Sequence, residues 1–207
     1  MIDAILERAL AGERLGLEDG LALFASNEIE KIGHYANLVM QKHHPEPIAT
    51  FVISRNVNYT NICDTYCRFC AFYRRPGSSE GYVLPRETIF QKIQETIDVG
   101  GTEILMQGGT NPDLKIDYFT DLLRAIKQRF PQITMHSLSV AEVIKIAEVS
   151  NMTVEDVLKE LKAAGLDSLP GAGGEILDDR TAAKFPPERL VEEWIDTQKA
   201  SSRIGLP

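Results

Sequence analysis

Apolar residues recur along this chain first at helical spacing and then in short runs. Over residues 1–47, Leu6, Leu10, Leu15 and Leu17 are followed by Leu21, Leu23, Phe24, Ile29 and Ile32, then by Leu38, Val39 and Met40. That spacing predicts helices, with breaks near Gly12, Gly16 and Gly20 and an end at Pro45 and Pro47. Farther on, brief apolar runs alternate with amphipathic segments. Thr50–Ser54, Glu103–Met106, Ile133–Leu138 and a weaker Leu166–Leu169 are predicted strands. Helices are predicted over Pro85–Val99, Tyr118–Phe130, Val140–Val149, Thr153–Ala164 and Pro187–Ser201. Thr153, with Asp156 three residues later, is the expected cap of one of these, and Gly165 its stop.

Strands alternating with helices predict right-handed βαβ units on a parallel sheet. The expected class is α/β: residues 48–207 form a partial (β/α) TIM-like barrel of about four βα units, and residues 1–47 an N-terminal helical cap. A closed eight-stranded barrel takes about 250 residues. At 207 residues the barrel is expected to be incomplete, either a half-barrel that needs a partner chain or a shortened form of a longer protein. Each predicted strand runs into a polar or glycine-rich loop, and barrel enzymes gather their functional groups at those strand ends.

Composition narrows the classes. A hydrophobic fraction of 43% and a charged fraction of 25% are those of an ordinary globular chain. The net charge of −8 argues against a nucleic-acid or membrane-surface binder, which needs a basic face. Arg68, Arg74 and Arg75 form only a local basic patch, suited to a small anionic ligand. No apolar run approaches the roughly 20 residues of a membrane span, and the N-terminus lacks the pattern of a secretory leader. A cytoplasmic location is expected.

All three cysteines lie within eight residues, Cys63-Asp64-Thr65-Tyr66-Cys67-Arg68-Phe69-Cys70. They cannot pair into disulfides without leaving one over, and such a cluster in a reducing compartment is more often a metal or redox site. Three thiolates at this spacing can wrap one face of a [4Fe–4S] cube, leaving one iron without a protein ligand. An open coordination position is what separates catalytic from structural metal sites. The alternative is zinc completed by His43, His44 or His136, although zinc ribbons favour two separated cysteine pairs. Phe69 is either core or a surface for a flat ring. Gln107-Gly108-Gly109 and Gly171–Glu175 are turns that also let backbone approach a ligand. His136 and Ser137, at the end of the third predicted strand, are structural or functional.

Together with the cysteines, several phrases carry a family resemblance: Asn58–Cys63 (NYTNIC), Cys70–Arg74 (CAFYR), Glu80–Leu84 (EGYVL), Met106–Gly109 with Asn111-Pro112-Asp113, and Pro170–Arg180 (PGAGGEILDDR). They resemble the radical S-adenosylmethionine (SAM) superfamily and, within it, the cyclic dehypoxanthinyl futalosine synthases of the futalosine route to menaquinone. The resemblance implies a [4Fe–4S] cluster on Cys63, Cys67 and Cys70, with SAM chelating the open iron. It implies SAM or pocket contacts from Phe69, Gln107, Gly108, Gly109, Ser137, Glu175 and Arg180. The implied reaction starts with a 5′-deoxyadenosyl radical removing a hydrogen from the ribose part of dehypoxanthine futalosine. The carbon radical adds to the benzoate ring, and loss of an electron and a proton restores aromaticity. Implied partners are the nucleoside-derived small molecule, a protein that donates one electron, and either a second copy of the chain or a complementing C-terminal half. Aminofutalosine synthases and deazaflavin-forming synthase subunits share the cysteine spacing, and an inactive half-barrel remains a further reading.

Overall fold

The computed structural model describes residues 2–174, 176–182 and 191–207. By internal packing the chain divides into two units, Met1–Phe51 and Val52–Pro207. The first holds α1 (Asp3–Ala11), α2 (Leu17–Phe24) and α3 (Ile29–His43). Gly12 ends α1 in the left-handed conformation at φ +87°, with its N–H on the Ala9 carbonyl. The Asp19 carboxylate accepts from the Gly16 N–H at 2.9 Å, which starts α2. Lys31 pairs with Asp3 at 2.9 Å and Tyr35 bonds Glu7, so polar contacts tie α3 to α1.

The second unit is built on three parallel strands in the order β1 (Ser54–Val57), β2 (Glu103–Met106), β3 (Thr134–Ser137). Crossover helices α4 (Arg86–Asp98) and α5 (Ile116–Arg129) join them, as parallel pairing requires. Beyond β3 come α6 (Val140–Ser150), α7 (Val154–Ala164), the short α8 (Asp179–Ala182) and α9 (Val191–Arg203). Ile89 and Ile93 of α4, Leu123 and Ile126 of α5, and Val157, Leu158 and Leu161 of α7 are buried in one core with Ile104, Met106 and Met135 of the sheet. The register aligns Val57, Met106 and Ser137 in one row. All three strand-end loops therefore open on the same edge of the sheet. This is a partial, barrel-like α/β architecture.

Two strand expectations change. The first strand lies at Ser54–Val57 and shares only Ser54 with the apolar run Thr50–Ser54. The ladder with β2 begins at Ser54↔Glu103, and upstream Phe51 and Val52 are exposed. Arg55 is tolerated in the strand because its guanidinium reaches the Lys92 carbonyl at 3.1 Å and Glu95 at 2.6 Å on α4. The fourth strand reduces to a single parallel bridge, His136↔Ser168. Asp167 and Ser168 both donate to the Met135 carbonyl, but the Leu169 N–H turns to the Pro207 carbonyl at 2.7 Å. Pro170 then has no N–H with which to continue a ladder. The Thr153 cap forms as expected, accepting from the Asp156 N–H at 3.1 Å. The last helix begins at Val191 among the described residues.

Candidate cofactor site

The loop after β1 carries the cysteines, and hydrogen bonds close its neck. Cys63 N–H donates to the Arg74 carbonyl at 2.9 Å and Arg74 N–H to the Asn61 carbonyl at 2.7 Å. The NYTNIC and EGYVL phrases hold each other. Asn61 Oδ1 accepts from Tyr82 N–H at 2.8 Å, Asn61 Nδ2 donates to the Glu80 carbonyl at 3.0 Å, and Thr60 Oγ1 donates to the Tyr82 carbonyl at 2.6 Å. Within the loop Cys70 N–H donates to the Cys67 carbonyl. Tyr66, just before Cys67, is left-handed at φ 55°, a conformation a tyrosine rarely adopts. Its ring packs on Tyr73, with the Arg75 guanidinium 5.0 Å from its centroid.

The loop after β2 lies directly against Cys63. A Cβ on Gly109 would stand 2.2 Å from the Ile62 carbonyl oxygen and 2.7 Å from Cys63 Cβ, so only glycine fits there. Thr110 Oγ1 lies 3.2 Å from Cys63 Sγ, 2.6 Å from Thr65 Oγ1 and 2.7 Å from Asp64 Oδ1. Lys145 on α6 pairs with Asp64 at 3.0 Å and Glu148 at 2.7 Å. Partial burial lowers the Lys145 pKa, but the two carboxylates outweigh that and leave it raised.

Glu142 on α6 fastens the same loop from the other side. Its Oε1 accepts from Tyr59 O–H at 2.7 Å and Gly108 N–H at 2.9 Å, and its Oε2 accepts from Ser139 N–H at 2.6 Å. The side chain is buried, and no ion pair to it is found among the described residues. Burial pushes its pKa up to about 7, opposed by these hydrogen bonds. Burial, with the Glu142 charge second, also pushes Tyr59 well above the usual phenol range.

Cys63, Cys67 and Cys70 all border one cavity of about 490 Å³, whose walls include Phe69, Gly108, Gly109, Ser139, Ile144 and Trp194. None of the three cysteines is in a disulfide. Among the described residues, no three His, Cys, Asp or Glu side chains converge on a point that would hold a single metal ion. That geometry gives no support to a zinc site. Three thiol donors on one cavity wall fit a [4Fe–4S] cluster with one iron left to another ligand.

Of the other expected contacts, Phe69, Gly108 and Gly109 line this cavity. Gln107 does not, and its carbonyl accepts from Asn58 Nδ2 at 3.1 Å. Ser137 is fully buried in the sheet, and its Oγ has no hydrogen-bond partner among the described residues. Arg180 is 88% exposed beside Asp178 and also lies off the cavity wall. Glu175 falls outside the described residues. After the fourth predicted strand Gly173 lines this cavity, whereas Gly174 has a packing role, since a Cβ there would stand 2.4 Å from the Trp194 indole.

The sequence profile of the Radical SAM superfamily matches residues 57–207, which take in the end of β1, the cysteine loop, β2, β3 and the described residues of the cavity wall. The chain belongs to the radical SAM superfamily. Members are enzymes that use a [4Fe–4S] cluster and SAM, the pair the thiol triad fits. Cyclic dehypoxanthine futalosine synthase of Halalkalibacterium halodurans is 66% identical over 206 residues, covering 99% of this chain and 56% of the relative. The 5-amino-6-(D-ribitylamino)uracil–L-tyrosine 4-hydroxyphenyl transferase of Trichormus variabilis is 37% identical, covering 99% and 54%. The chain spans about half the length of the curated relatives it matches. Among solved structures, the [FeFe]-hydrogenase maturase HydG superposes with a TM-score of 0.73 at 18% identity, covering 99% of this chain and 44% of that one. At that identity the likeness shows the radical SAM fold alone. No helix among the described residues is long and apolar enough to cross a membrane.

Sequence reasoning missed Glu142, Thr110, Lys145 and Trp194. For Glu142 a signal existed in the capping-box pair Ser139 and Glu142. Thr110 follows the glycine pair directly. Lys145 and Trp194 carry no local mark.

Proposed function

We propose that this chain is the cofactor-binding part of a radical SAM cyclase converting dehypoxanthine futalosine to cyclic dehypoxanthinyl futalosine. The observation that carries the reading is 66% identity to the Halalkalibacterium cyclase across nearly the whole chain, including the cysteine loop and the cavity wall. Bound here, the cluster and SAM would supply a 5′-deoxyadenosyl radical for hydrogen removal from the ribose. The protein's own groups hold and enclose. Cys63, Cys67 and Cys70 would ligate three irons, and Gly108 and Gly109 let backbone come close to the cofactor. Phe69, Ile144 and Trp194 give the cavity apolar walls, which shield the cofactor from solvent and from side reactions. Ser137, Gln107, Glu175 and Arg180 stand as further contacts to be tested.

In this reading residues 1–47 form an N-terminal helical unit and residues 48–207 a partial barrel, and the protein works in the cytoplasm. It takes its electron from a reductant protein. It completes its enclosure by pairing with a second copy or with a C-terminal half. The test is anaerobic iron–sulfide reconstitution of this chain, alone and mixed with the C-terminal half of the Halalkalibacterium relative. SAM, a reductant and dehypoxanthine futalosine are then added, and products are read by mass. The expected products are 5′-deoxyadenosine and a cyclised compound lacking two hydrogens of the substrate. Cluster-loaded protein that yields no such compound in either form sinks the assignment. Product from tyrosine and ribitylaminouracil instead would transfer it to the second group of relatives.

A further inference from the structure

Thr110 Oγ1 sits among three acceptors but carries one proton. Its neighbours are Asp64 Oδ1 at 2.7 Å, Thr65 Oγ1 at 2.6 Å and Cys63 Sγ at 3.2 Å. While Cys63 is a thiol, the arrangement is satisfied. The S–H and the Thr65 hydroxyl both donate to Thr110, and Thr110 donates to the Asp64 carboxylate. A metal-bound cysteine is a thiolate and has no proton to give. Two anions, the Asp64 carboxylate and the Cys63 sulfur, then flank one hydroxyl. Lys145 Nζ resolves the conflict. It holds the other Asp64 oxygen at 3.0 Å from a largely buried position, so the carboxylate keeps a charged partner if the hydroxyl turns away. Thr65 continues to donate to Thr110, and the Thr65 N–H lies 3.5 Å from the same sulfur.

We propose that Thr110 donates a hydrogen bond to the cluster-bound Cys63 thiolate, and that Lys145 makes this possible by holding Asp64. The inference rests on the cysteines carrying a cluster. Thr110 acts through Cys63 and is a positioning residue. A hydrogen bond to a ligand sulfur offsets negative charge and favours the reduced, more negative cluster, so its loss lowers the reduction potential. Charge-assisted bonds are strong enough for about a tenfold change in the reduction equilibrium, which is about 59 mV for a one-electron couple.

The test is a redox titration followed by electron paramagnetic resonance on reconstituted protein without substrate. Parent, Thr110→Val, Thr110→Ser and Lys145→Met are compared at matched iron content. The expected result is a midpoint more negative by about this amount in Thr110→Val and a near-parental value in Thr110→Ser. Lys145→Met should shift partway in the same direction, because Asp64 then recaptures the hydroxyl. A Thr110→Val midpoint equal to the parent's overturns the proposal. If Thr110→Val fails to load, the other two variants decide: a parental midpoint in Lys145→Met overturns it. A parent protein that takes up no cluster refutes the site assignment itself, which separates the two failures.

Discussion

Alanine at position 109 puts one methyl group where the structure has no room for it. Its Cβ would lie 2.2 Å from the Ile62 carbonyl oxygen, 2.8 Å from the carbonyl carbon and 2.7 Å from Cys63 Cβ. None of these atoms is the tip of a flexible side chain. Ordinary contacts lie at about 3.5 Å, so the two loops must part by roughly 1 Å. Gly109 N–H bonded to the Thr60 carbonyl at 3.1 Å and Cys63 N–H bonded to the Arg74 carbonyl at 2.9 Å resist that movement. Gly109 is not left-handed, so the effect is steric alone. Overpacking costs about 1–3 kcal/mol, and two overlaps at backbone with a third at Cys63 Cβ put this case near the top of the range. At about 3 kcal/mol, a domain of this size melts roughly 6–12 °C lower. The displaced Cys63 should also cost cluster loading. The assays are a thermal melt and iron content after anaerobic reconstitution. Parental values in both would show that the two loops are not packed as described.

The remaining predictions probe separate links. Gly33→Ala lies inside α3 with nothing within 4 Å of the new Cβ, so it should stabilise by about 0.4–1 kcal/mol; a urea midpoint that falls would count against an ordered α3. Thr153→Ala removes the acceptor of the Asp156 N–H and should cost about 1 kcal/mol, with Thr153→Ser near the parent; equal losses in both would discount the cap. Glu142 has its pKa raised from 4.5 to about 7, so between those values the folded state holds a proton that the unfolded chain has released. Stability from this group is therefore full below about pH 4.5 and lost as pH rises through about 7, a change of roughly 3 kcal/mol for about 2.5 units. Glu142→Gln should flatten that part of the melting-temperature profile, and parallel profiles for the two proteins would refute the burial argument.

Helices were legible because their signals are local. The Thr153 cap and Gly165 stop of α7 form as the residue types dictate, and Pro85 lies immediately before α4. Strands depend on a partner, and there local reading slipped. In Thr50–Ser54 the apolar run suggested a strand, but pairing with β2 selects Ser54–Val57 and leaves Phe51 exposed. What admits Arg55 to the sheet is Glu95 on a helix 40 positions away, which no window of sequence contains. The weak strand at Leu166–Leu169 failed for a local reason visible in the sequence, since Pro170 follows it and cannot donate to a ladder.

The site divides along the same line. Three thiols within eight residues are a short-range pattern, and their chemistry could be read from spacing. What arranges them is long-range. Glu142 binds Tyr59, 83 positions before it, and Gly108, 34 positions before it; Thr110 meets Cys63 across 47 positions. Each link joins the loop after one parallel strand to the loop or helix after another. Those loops are neighbours only because β1, β2 and β3 end in register at Val57, Met106 and Ser137. Strand register is thus what turns a capping-box glutamate and a threonine after two glycines into parts of the site. A change that slipped β2 by one residue would separate Thr110 from Cys63 while leaving every cysteine in place.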